Sequence, residues 1–82
     1  MIMFYSLLYV NGLPVRYTVL FNDSRFLFEP EFNPHTDLEA PFFAVADIDG
    51  AWHFKGLEDR DMKDQALEEI DQFLQNRSMS LS

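Results

Sequence analysis

Asp47-Ile48-Asp49-Gly50 carries the densest set of residues able to do chemistry, with Glu58 eleven positions after Asp47. Carboxylates at positions 1 and 3 and a glutamate at position 12 are what an EF-hand loop offers a calcium ion, a hard cation that takes oxygen ligands. The match breaks at position 5, which is Ala51, and at position 6, where Trp52 replaces the required glycine. No helix is expected before the segment either. A hairpin turn accounts for Asp49-Gly50 without a metal.

His35, Asp37 and His53 are of the types that hold zinc or act as general base. The two histidines lie eighteen residues apart on different expected elements, so nothing brings them into one geometry. The chain has no cysteine, no Gly-x-Ser-x-Gly elbow and no glycine-rich phosphate loop. Ser6 falls on an inward-facing position and reads as a small packing residue. No catalytic residue, metal or cofactor is therefore expected, and the chain reads as a non-enzyme.

The elements that would position any site begin with residues 1–28, which read as three antiparallel strands. Asn11-Gly12 separates two runs rich in Tyr, Leu, Val and Phe. That pair favours a type I′ turn, which needs positive φ at both central residues. A two-residue loop pairs Val10 with Leu13, Leu8 with Val15, Ser6 with Tyr17, Phe4 with Val19 and Ile2 with Phe21. All ten share one face, because side chains alternate along a strand. Pro14 lacks a backbone donor and allows a four-residue loop instead, which moves the register by two and keeps the same face. Asp23-Ser24 then turns the chain again and pairs Phe21 with Phe26 and Val19 with Phe28.

Pro30, Pro34 and Pro41 bar a central strand from the next stretch, so Glu31 to Pro41 reads as a long surface connection. A fourth strand over 42–47 and a short fifth over 51–54 form a hairpin around Asp49-Gly50, with Phe43, Val45, Trp52 and Phe54 on the core side and His53 on the solvent side. From Glu58 to Arg77 the period changes to about 3.6, and Met62, Ala66, Leu67, Ile70, Phe73 and Leu74 fall within about 140° of a helical wheel. Leu57 and Met62 have the spacing of a hydrophobic staple around a helix start at Glu58.

The expected fold is α+β: an antiparallel meander of four to five strands with one C-terminal amphipathic helix packed on one face. A single domain covers 1–77, and 78–82 form a frayed tail. Phe21, Phe26, Phe28, Phe43, Phe54, Ile70 and Phe73 should share the core. A fully buried Phe73 would make Phe73→Ala cost about 3–5 kcal/mol.

Composition narrows the function classes. The chain has 82 residues, 48% apolar, with a net charge of −8. Residues 1–28 hold two arginines against one aspartate, and residues 29–82 hold four basic against thirteen acidic side chains. Such a surface repels phosphate, which argues against direct nucleic-acid binding and against docking on an anionic membrane. The apolar opening is broken by Asn11-Gly12-Leu13-Pro14 and Arg16, too soon for a membrane span. It also lacks the basic leader of a signal peptide, so a cytoplasmic protein is expected.

Two surfaces stand out. Met3, Tyr5, Leu7 and Tyr9 face outward from the first strand beside Thr18, Leu20 and Leu27, where a solvated sheet face would alternate to polar residues. A second copy of the chain is the simplest cover for such a face, giving a homodimer. On the helix, Asp61, Asp64, Glu68 and Asp71 form an acidic ridge at spacings of three and four, suited either to solvent or to a basic partner. The chain thus reads as a small acidic protein–protein interaction module. The alternative is an acidic inhibitor or antitoxin-like protein that binds a basic site on an enzyme or nucleic-acid-binding protein.

Overall fold

Three tight hairpins and one long connection build a five-stranded antiparallel meander in the order β1-β2-β3-β4-β5, followed by one helix. The computed structural model describes the backbone of residues 2–31 and 40–80 and the side chains of residues 4–31 and 40–76. Its elements are β1 (Ile2–Val10), β2 (Leu13–Asn22), β3 (Arg25–Pro30), β4 (Phe43–Ile48), β5 (Ala51–Lys55) and α1 (Arg60–Ser80). The connection expected over Glu31 to Pro41 lies largely outside the described residues.

The hairpins follow from local chemistry. Asn11 (φ 53°) and Gly12 (φ 81°) make a two-residue turn, as do Asp49 (φ 54°) and Gly50 (φ 83°). Val10 pairs with Leu13, so the four-residue loop that Pro14 allowed does not form. Pro14 sits opposite Tyr9. In a two-residue hairpin that pair exchanges no hydrogen bond, so the missing N–H costs nothing there. The third turn uses Asp23 (φ 52°) and Ser24 (φ 61°), with no glycine.

One expected pairing changes at the open end of the hairpin. Ile2 stands opposite Leu20 rather than Phe21, through an irregularity between Ile2 and Phe4. Phe21 is consequently left at a sheet corner, 43% exposed, with its ring edge-on to Phe26 at 5.0 Å. It does not belong to the core. Trp52 is also exposed, and Phe54 is only half-buried.

The core is centred on three rings. Phe28 and Phe43 stack at 4.7 Å across β3 and β4, and Tyr17 meets them at 6.2 and 5.8 Å. Leu8, Val10, Val19, Phe26, Val45, Leu57, Met62, Ala66 and Ile70 complete the buried cluster. Burial sets a condition on Tyr17. Its hydroxyl donates to the C=O of Pro41 at 2.8 Å, and desolvation pushes its pKa up to about 12.

The helix starts two residues later than expected. Asp59 caps it, its Oδ1 accepting the N–H groups of Asp61 at 2.9 Å and Met62 at 3.3 Å. Its carbonyl accepts the Lys63 N–H at 3.0 Å. A short side chain at this position satisfies donors that Glu58 would reach less well. Among the described side chains of α1 only the line Met62, Ala66 and Ile70 is fully buried; Leu67 and Phe73 are half-buried, and Leu74 is exposed. Phe73 stacks on Phe4 at 4.6 Å rather than entering the core.

Three outcomes follow. Phe28→Ala is expected to cost about 3–5 kcal/mol in denaturant unfolding, and Phe73→Ala only about 2 kcal/mol, because Phe73 is only partly buried and stacks on Phe4 outside the core cluster. Ser24→Gly relieves a left-handed backbone and should raise stability by about 1 kcal/mol, read as a melting-point gain of roughly 4–8 °C. The raised pKa of Tyr17 gives a pH signature. Below about pH 10 both states hold the proton and its contribution is intact; above that the unfolded chain releases it first, so stability falls as pH rises towards about 12. Tyr17→Phe should flatten that fall.

Candidate interaction surface

The residues of the calcium-like segment serve the turn. Asp47 Oδ1 accepts the Gly50 N–H at 3.1 Å, closing the hairpin from one side. Glu58 stands elsewhere, beside an open cleft lined by Val10, Asn11, Phe54, Gly56, Asp59 and Met62 among others, with a volume of about 670 Å³. Asp59 is occupied there by helix capping. His53 pairs with Ala46 and is exposed on the outer sheet face. His35 and Asp37 lie outside the described residues. Among the described residues no group of three or more carboxylates or histidines is placed to hold a metal ion.

The outer face is where unsatisfied surface accumulates. Tyr5, Leu7 and Tyr9 are 55%, 49% and 52% exposed along β1, with Leu20 half-buried beside them. The side chain of Met3 lies outside the described residues. Across the sheet, Leu20 pairs with Leu27 and Leu27 with Ala44, giving an apolar row. The face turns polar on either side of that row. Arg16 holds its guanidinium 5.0 Å from the centre of the Tyr5 ring and lies 3.7 Å from Glu31, while Lys55, His53 and Arg25 occupy the β3–β5 side. The apolar patch is thus narrower than strand alternation alone implied.

Asp61, Asp64, Glu68 and Asp71 are all exposed on α1. Beside them lies a set of contacts that sequence reasoning missed. Gln65 docks its amide on the backbone of Tyr9, accepting the N–H at 2.8 Å and donating to the C=O at 3.0 Å. The same Nε2 lies 3.1 Å from Asp61 Oδ2. One turn further on, Glu69 accepts a hydrogen bond of 2.9 Å from the buried hydroxyl of Ser6. Ser6 is therefore a polar anchor between strand and helix as well as a small packing residue. The available signal was the spacing of Gln65 and Glu69, four apart and flanking the buried line Met62, Ala66 and Ile70. Such positions read as solvated when the neighbouring strand edge is unknown.

Among the described residues no helix is long and apolar enough to cross a membrane. No family model matches this chain, and comparison with curated proteins and with solved structures gives no match either.

The Gln65 contact has a direct readout. Gln65→Ala should accelerate hydrogen exchange of the Tyr9 amide while Leu8 and Val10, bonded to β2, keep their protection. The global cost should be about 1 kcal/mol, since both bonds are near solvent.

Proposed function

We propose that this chain is a small, acidic, non-catalytic interaction module that pairs with a second copy of itself through the outer face of β1 and β2. The observation that carries this reading is the run of Tyr5, Leu7 and Tyr9, each about half exposed, on a face that the single helix does not cover. Tyrosine suits such a place, since its ring contributes apolar area and its hydroxyl stays wet. A two-fold axis through the patch matches apolar rows to each other, the commonest way for identical chains to associate. The two arginines on this face are accommodated, Arg16 lying over Tyr5 and beside Glu31, and Arg25 near Asp23.

Sedimentation equilibrium over a wide concentration range tests the pairing. The unmodified chain should dimerise, and the double change Tyr5→Lys with Leu7→Lys should weaken the dimer at least about 100-fold while leaving the circular dichroism spectrum intact. An unmodified chain that stays monomeric at about 1 mM, which corresponds to only some 4 kcal/mol of association, overturns self-pairing.

A further inference from the structure

The edge of β1 is a surface separate from its face. β1 is the first strand of the sheet, and among the described residues its far side pairs with no other strand. The two-residue turn dictates which backbone groups point that way. Val10 and Leu13 flank the turn as a hydrogen-bonded pair, and such pairs alternate along an antiparallel ladder. Tyr9, Leu7 and Tyr5 therefore direct their N–H and C=O groups away from β2. Two contacts bear out this phase. Tyr9 gives both groups to Gln65, and Arg16, the partner of Leu7, turns its C=O the other way to accept the Glu31 N–H at 2.8 Å.

At Tyr9, then, the Gln65 amide already makes the two bonds that a neighbouring strand would make. At Leu7 and Tyr5 the same pair of groups has no partner among the described residues. We propose that the Tyr5–Leu7 edge accepts an extended basic segment of a partner protein as an added strand, with Gln65 marking where that strand must stop.

Charge selects the occupant. Asp61 bonds Gln65 and so stands on the edge side of α1. Glu68 lies about 60° around the helix from Gln65, on the side away from Met62, Ala66 and Ile70, and Asp64 and Asp71 continue the ridge. Among the described residues no lysine or arginine lies within ion-pair distance of these four carboxylates. A second copy of this chain on the same edge would set two acidic helices side by side, so repulsion works against self-pairing here. A lysine- or arginine-bearing strand meets the opposite field. Its side chains alternate: those opposite Leu7 and Tyr5 lie on the outer face beside them, where apolar residues fit, and the others face the helix, where basic residues fit. Main-chain bonds supply affinity and the alternation supplies selectivity.

The test uses the whole chain, isotopically labelled, and two synthetic probes: acetyl-(Lys-Val)4-amide and the same peptide N-methylated on its valines. The methyl groups keep the charge and remove the donors that would face the edge. The unmethylated probe should slow hydrogen exchange of the Leu7 and Tyr5 amides about tenfold or more, and the methylated probe should not. Asp64→Lys with Glu68→Lys should weaken binding about tenfold at low salt, an effect that added salt diminishes. Equal binding of both probes, with chemical-shift changes confined to α1, would mean that the ridge attracts cations and the edge takes no strand. Absence of protection at about millimolar probe overturns the proposal as well. Protection of Leu7 and Tyr5 that grows with protein concentration, without peptide, would assign the edge to a second copy instead. Sedimentation of the unliganded chain reports on the outer face separately, so the two readings can fail independently.

Discussion

The hydroxyl of Tyr17, on the buried face of β2, donates to the C=O of Pro41, and its ring lies against Phe28 and Phe43. This side chain joins β2 to the start of β4, although Pro30 and Phe43, which end β3 and begin β4, are far apart in sequence. Three of the four strand junctions are two-residue turns that form from local preference, but the junction between β3 and β4 must be closed by long-range contact. Stacked Phe28 and Phe43 supply apolar area for that closure. The hydroxyl adds direction, since leaving it unpaired in the core would cost about 1–3 kcal/mol. With β3 and β4 aligned by this cluster, the apolar face becomes continuous from Leu8 to Phe54, and only then does α1 have a surface to cover.

One helix on a five-stranded sheet imposes the remaining features. The helix packs its narrow line of Met62, Ala66 and Ile70 on the inner face, towards β1. Its flank reaches the strand edge through Gln65 and Glu69. Sheet edges are hazardous when bare, because their free backbone groups recruit other strands. Here the turn end of the edge is closed by a side-chain amide, and the stretch at Tyr5 and Leu7 has no partner among the described residues. The same placement of α1 leaves the corner around Phe21 uncovered and the outer face without any helix. The two proposed contact surfaces, the face of β1 and its edge, are both consequences of where the helix sits.

Much of this architecture was legible in residue order. Asn11-Gly12 and Asp49-Gly50 announce type I′ turns, and from the turn positions alternation assigns every strand residue to a face. Tyr5 and Tyr9 are outward and Phe26 and Phe28 inward for that reason alone, and the 3.6-residue period of Met62, Ala66 and Ile70 identifies the helix. The errors fell where local pattern loses its hold. Phe21 has the right parity for the core, but burial also needs a covering element, and the shift between Ile2 and Phe4 places it at a corner. Phe73 and Leu74 have the right helical phase, yet Phe73 meets Phe4 at the sheet's margin and Leu74 is exposed. The spacing of Gln65 and Glu69 beside the buried helical line does not identify what Gln65 bonds, because its partner is a backbone whose free edge exists only once the strands are ordered.

Turn chemistry, strand parity, helix phase and the acidity of the ridge are therefore properties of the sequence by itself, since each depends on residues a few positions apart. Tertiary structure alone decided which edge α1 covers, which aromatic rings meet around Tyr17, and which polar groups are used across the helix–strand seam. Those outcomes depend on pairs as far apart as Tyr9 with Gln65 and Ser6 with Glu69. A hydrogen bond between such distant groups leaves no periodic trace in the chain; its geometry comes into being only when packing of the apolar faces brings them together.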